Sequence, residues 1–167
     1  EDLTPGRGMG TVITSSKGRI IDLLFVFMRD DHILVLTSPD NQDRVIDWID
    51  FYTFSEDITV QRLNSKTAML SLIGPRSVSL LGELTDGALS SMGLYDVTCT
   101  VIDGVDTTII RSELGTLPKY DLIIPALLAR KLWDHLLLRG GDSALRPVGT
   151  DALEIVRIKQ GVPAHGR

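Results

Sequence analysis

Cysteine is nearly absent. Cys99 stands alone among 167 residues, which excludes an internal disulfide, a Cys-x-x-Cys pair and a cysteine-based metal site. Histidine is scarce as well: His32, His135 and His165 share no metal-ligand spacing, so each reads as an ordinary surface residue and no metal site is expected. No apolar run approaches the roughly 18 residues that a membrane helix requires, and no basic segment leads into an apolar one with a cleavage site. No membrane partner is expected, and the chain reads as cytoplasmic. Bases are the minority, 17 Lys and Arg against 22 Asp and Glu for a formal net charge of -5. Binding to a phosphate backbone needs clustered bases, and none are seen, so nucleic acid is not an expected partner. Gly-x-Gly-x-x-Gly, the P-loop and Gly-x-Ser-x-Gly are all missing, and Ser90-Ser91 lies in a small polar stretch without an evident base. The residues leave oligomeric state open.

What is present suffices for a core, since 43% of the residues are hydrophobic and the length allows one or two small domains. The densest β-pattern runs from Ile20 to Met28, turns at Arg29-Asp30-Asp31 and continues from Ile33 to Leu36, the signature of an antiparallel hairpin. Ser38-Pro39-Asp40 then predicts a helix over 39–52, with Ser38 as cap and Pro39 at the first helical position. Val45, Ile49 and Tyr52 form its apolar face, beside Ile46 and Trp48, and its aromatics are expected in the core. Ile58-x-Val60 and Ala68 to Ile73 flank Leu63-Asn64-Ser65-Lys66, a second strand-turn-strand signal. Gly74-Pro75 opens a helix carrying Val78, Leu81 and Leu84; Arg76 beside its N-terminus suits an anion, but an ordinary helix start explains the pattern.

Small polar residues from Thr85 to Ser91 suggest a boundary, giving units 1–90 and 91–167, with one continuous domain as the alternative. Val97 to Ile102 and Thr107 to Arg111 are β-rich and meet at Asp103-Gly104, a pair suited to the positive φ angles of a tight turn. Asp121 to Ile124 adds a strand, Pro125 opens a helix through about Leu138, and Gly140-Gly141 stops it. A last helix spans about 150–160, with Asp151 and Glu154 as a capping pair, Gly161 at its end and Pro163 just beyond. Hairpins separated by lone amphipathic helices predict an α+β fold of mostly antiparallel strands with helices packed on the sheet.

Several of these stretches carry a family resemblance. Gly18-Arg19-Ile20-Ile21-Asp22 with the hairpin and a helix ending Asp47-Trp48-Ile49, Ile73-Gly74-Pro75-Arg76, Arg111-Ser112 with Tyr120-Asp121-Leu122, and Arg157 with Gly161-x-Pro163-x-x-Gly166 together resemble the folate-binding glycine-cleavage T-protein superfamily. The resemblance implies a folate-type small molecule as partner and tetrahydrofolate as cofactor. It also implies that the chain is a piece of a divergent member: it begins without Met, the N-terminal part of the first unit is expected to be missing, and the site is expected to draw on more sequence.

Residue by residue, the resemblance places Leu23 where the family has its catalytic aspartate, with Asp22 adjacent and pointing to the other strand face. A leucine neither accepts a proton nor holds a charge, so no catalytic residue is assigned and whether the chain is an enzyme stays open. Ser38, Asp121, Arg111 and Tyr120 match cofactor-binding positions; Asp121 keeps a carboxylate for the N–H groups of a pterin. The family's tyrosine and an arginine fall near Leu114 and Leu153. The implied function is therefore a folate-binding protein without the usual aspartate. The alternatives are a tetrahydrofolate-dependent aminomethyltransferase of the glycine cleavage system and the superfamily branch that maintains iron-sulfur clusters.

Overall fold

A strand made almost wholly of β-branched, aromatic and leucine residues forms the middle of the first sheet. This is β2 (Ile20–Met28), flanked by β1 (Gly8–Thr14) and β3 (Ile33–Leu36), both antiparallel to it. The computed structural model describes residues 3–85, 89, 91–141 and 144–163. The hairpin of β2 and β3 stands where the sequence places it. β1 has no counterpart among the strands read from the sequence, because Gly8 and Gly10 look like loop. Its glycine is tolerated because Phe27, directly opposite, lays its ring over Gly8, where a Cβ would collide with it.

Helix α1 (Gln42–Tyr52) packs on this sheet through Val45 against Ile13 and Leu24, with Trp48 and Ile49 alongside. It starts three residues later than predicted, and Asn41 rather than Ser38 occupies the cap position. Ser38 is drawn elsewhere, as described below. The expectation that the helix aromatics are core fails for Phe51 and Tyr52, which are exposed at the last turn. From there to Arg62 the chain has no regular structure, so the predicted strand at Ile58-x-Val60 is absent. Arg62 returns to pair with Asp43 in the first turn of α1 at 2.5 Å.

The second sheet has the order β4-β7-β6-β5, built from β4 (Thr67–Ile73), β5 (Val97–Ile102), β6 (Val105–Leu114) and β7 (Leu117–Pro125), every neighbour antiparallel. Asp103 and Gly104 join β5 to β6 with φ of 49° and 71°, the pair of positive angles that a two-residue turn demands. β4 pairs with β7, not with residues 58–60, because β7 offers a long apolar partner. The core on one face combines Leu72, Ile109, Leu122 and Ile124 with Leu80 and Leu81 of α2 (Ser77–Leu84) and Leu132 and Leu136 of α3 (Ala129–Arg139). Each such side chain contributes about 1.5–3 kcal/mol by leaving water. A turn of 3-10 helix, Ala126–Leu128, precedes α3 where the sequence predicts one helix from Pro125, and Leu127 and Trp133 are exposed.

Helix α4 (Thr150–Lys159) begins at Gly149 without the expected side-chain cap, since Glu154 forks with Arg157 instead. By its contacts the chain divides into two compact units, 3–62 and 63–163 among the described residues. The sequence reading placed β4 in the first unit. The β4–β7 ladder joins it to the second. The α+β class, antiparallel throughout with helices on the sheets, is the predicted one. Among the described residues, no helix is long and apolar enough to cross a membrane.

Candidate functional site

Strand alternation decides what β2 can present. Asp22 lies opposite Ile13 on the face that packs under α1, and it is fully buried; Leu23 lies opposite Val12 on the other face and is 40% exposed. A buried carboxylate requires donors, and Asp22 has three. The Ser38 N–H reaches Oδ2 at 2.9 Å, the Ser38 hydroxyl reaches Oδ1 at 2.6 Å, and the Leu23 N–H reaches Oδ1 at 2.9 Å. A charged acceptor therefore takes the hydroxyl that the sequence assigns to a helix cap. The same corner is tied by Asn41, whose carboxamide donates to the Ile21 carbonyl, while its N–H donates to the Ser38 carbonyl at 3.1 Å.

The second unit builds another polar cluster around a buried acid. Asp121, 3% exposed, stands on β7 between Ser71 of β4 and Ile110 of β6, on the sheet face away from α2 and α3. Ser71 donates its hydroxyl to Oδ1 at 2.5 Å, and Ser112 donates to Oδ2 at 3.0 Å. The Lys119 ammonium lies 3.0 Å from Oδ2. Tyr120, one residue along, faces the other way into the core, and Arg111, its direct partner on β6, stacks its guanidinium 5.1 Å from the ring centroid. Arg111 also donates to the Ser112 carbonyl and pairs with Glu113 at 3.5 Å. Two faces thus divide the three candidates of this region: Asp121 on one, with Ser112 beside it, and Arg111 and Tyr120 on the other.

Residues 1–167 match the family model described as the GCVT N-terminal domain. The chain belongs to the GCVT N-terminal domain family. Among curated relatives, it is 27% identical to an aminomethyltransferase of Thermotoga maritima over 99% of this chain and 46% of the relative. It is 29% identical to one of Moorella thermoacetica over 89% of this chain and 41% of that protein. The chain spans less than half the length of these relatives. Its fold matches that of the glycine cleavage system aminomethyltransferase T from Bartonella henselae with a TM-score of 0.81 at 21% identity, over 98% of this chain and 43% of that one.

Within this GCVT domain the structure brings Asp22 and Ser38 into contact and sets Leu23 on the opposite strand face. Leu114 is buried in β6 and Leu153 is partly exposed on α4. The closing-motif Arg157 is occupied locally, by Glu154 and by the Val162 carbonyl. Ser90, His165 and Gly166 lie outside the described residues. His32 pairs with Asp31 at 2.7 Å, which holds the Asp31 carboxyl below its ordinary range, and His135 lies 3.7 Å from Asp103. Among the described residues, no group of His, Cys, Asp and Glu could hold a metal.

Sequence reasoning missed Ser71, Ser112, Lys119 and Asn41 as partners of the buried polar groups. Lys119 carries a readable signal, because a base two residues before an acid on a strand shares its face. Ser71 carries none, since the contact needs the β4–β7 register across 50 residues of sequence.

Proposed function

We propose that this GCVT domain contributes to binding a reduced folate and does not carry out aminomethyl transfer. The carrying observation is the disposition of Asp22 and Leu23: the carboxylate is buried with three donors, and the neighbouring position, at which the family resemblance expects an acid, presents an alkyl group. Side chains of consecutive strand residues point to opposite faces, so Asp22 does not substitute for an acid at Leu23 without breaking its own hydrogen bonds. Asp121 suits the N–H groups of a pterin ring: a carboxylate offers about four acceptor sites, and the Ser71, Ser112 and Lys119 donors use three. Ser38 is already engaged with Asp22 and holds that corner of the first unit. Arg111 and Tyr120 are read as the support of β6 and β7 from the far side of the sheet.

Magnitude supports binding without turnover. A hydrogen bond to a charged group contributes about 1.5–3 kcal/mol, so the absence of an acid at Leu23 and of an arginine at Leu153 weakens folate roughly a hundredfold or more against a site that has both. Titration of tetrahydrofolate by calorimetry tests the proposal, with Asp121→Asn as the site variant and Leu23→Asp assayed for transfer. Weak binding lost in Asp121→Asn is the expected result. Measurable glycine-dependent turnover by the unaltered protein would instead favour the aminomethyltransferase reading.

A further inference from the structure

The stretch from Val45 to Gln61 holds four acids, Asp47, Asp50, Glu56 and Asp57, and no lysine or arginine. Against a formal net charge of -5 for the whole chain, this one stretch is strongly negative. It is also where the first unit exposes its aromatics: Phe51 is 70% exposed, Phe54 85%, and Tyr52 and Ile58 are exposed with them. The rings at the end of α1 are contiguous, with Trp48 and Tyr52 at 4.7 Å and Phe51 and Tyr52 at 5.0 Å. The chain then doubles back. Arg62 pairs with Asp43 in the first turn of α1, so residues 53–61 lead from the end of that helix back to its start. All four acids are exposed.

Isolated exposed apolar residues need no explanation, but an aromatic cluster rimmed by polar residues marks an interaction site. The aromatic composition matches the centre of a protein interface, and the excess of acids, with Arg44 on α1 and Arg62 paired to Asp43 as the bases, matches a steering rim. We infer that α1 and the returning segment form a docking surface for another protein that presents a cationic amphipathic segment, its apolar side chains on Phe51, Tyr52 and Phe54 and its bases beside Asp47, Asp50 and Asp57. Charge complementarity selects this occupant. An anionic membrane is repelled by the rim, and a second copy brings acids against acids.

The test uses the protein with Trp133→Phe, so that Trp48, in contact with Tyr52, reports alone. Three peptides are titrated: a Lys/Leu amphipathic peptide, its Glu/Leu counterpart and a Lys/Gly peptide. The expected result is saturable one-to-one binding of the Lys/Leu peptide, weakened at least tenfold by Phe51→Ser/Phe54→Ser and lowered in salt dependence by Asp47→Asn/Asp50→Asn. All four positions are exposed, and unchanged thermal midpoints confirm that the variants are folded. Equal binding of the Glu/Leu peptide, indifference to Phe51→Ser/Phe54→Ser, or tighter binding to phosphatidylserine vesicles than to the Lys/Leu peptide overturns the inference. So does self-association in sedimentation equilibrium that Phe54→Ser abolishes.

Discussion

Two buried carboxylates in one chain are stabilised by different means. Asp22 receives three neutral donors, whereas Asp121 has a lysine within 3.0 Å together with two serine hydroxyls. A buried acid stripped of its donors, or donors stripped of their acid, incur the full desolvation penalty. Replacing Asp22 with alanine leaves the Ser38 N–H and hydroxyl without their acceptor at the junction of β2, β3 and α1, and urea unfolding is expected to show a loss of about 3 kcal/mol. Ser38→Ala removes one donor only, with an expected cost of roughly 1 kcal/mol. By contrast, Leu23→Asp puts a carboxylate on the half-exposed face, and its expected change in stability is within about 0.5 kcal/mol. An Asp22→Ala protein as stable as the parent, by the same urea titration, would remove the corner from the account of the fold.

Elements behave according to how local their causes are. The Asp103-Gly104 turn rests on two adjacent residues with positive φ, and Gly18 sits at φ 71° with its N–H donating to the Ser15 carbonyl at 2.9 Å. A β-branched side chain is strained at such angles, so Gly104→Val and Gly18→Val are each expected to cost at least about 1–2 kcal/mol in thermal unfolding. The turn after α1 has a pH dependence instead. Glu56 accepts the Ser55 N–H at 3.1 Å and the Phe54 N–H at 3.0 Å, and these bonds hold its carboxyl below the usual glutamate range. A depressed value means the turn is intact above the unfolded-state value and loosens as pH falls through the folded one. Amide exchange at Phe54 and Ser55, corrected for intrinsic rates, is therefore expected to accelerate as pH drops from about 5 towards 3. Locality also explains what was legible beforehand. The β2–β3 hairpin and the β5–β6 turn are written in neighbouring residues and were read from them. β1 was not, because Gly8 and Gly10 look like loop until Phe27 is known to lie across Gly8. Nor was the Ser71–Asp121 contact, which depends on a strand pairing that no local pattern announces. The alternation that separates Asp22 from Leu23 needed only the recognition of β2 as a strand.

At the scale of the whole molecule, the two units differ in what holds each of them together. The second joins a four-stranded sheet to a core in which Leu81, Ile102, Val105, Ile109, Leu122 and Leu132 are completely buried. The first has three strands, one helix and a small core of Ile13, Leu24 and Val45, with the buried Asp22 cluster beside it. Local stability follows buried apolar contact, so the amides of the two units are expected to open at different free energies. Ile109, Ile110 and Leu122, in the central strands β6 and β7, should be the last to exchange deuterium. β1 lies at a sheet edge and pairs with β2 alone, and should exchange well before them. Native-state hydrogen exchange across a urea series measures this directly, with β1 amides expected to merge into a lower-energy opening and β6 and β7 amides into the global one. A ligand held at Asp121 adds a second signature, because binding stabilises only the states in which its site is folded. Saturating tetrahydrofolate should slow exchange in β4, β6 and β7 in the unaltered protein and leave it unchanged in Asp121→Asn. Slowing confined to β1–β3 would place the folate contact on the first unit, and Asp121 would then be a structural acid like Asp22.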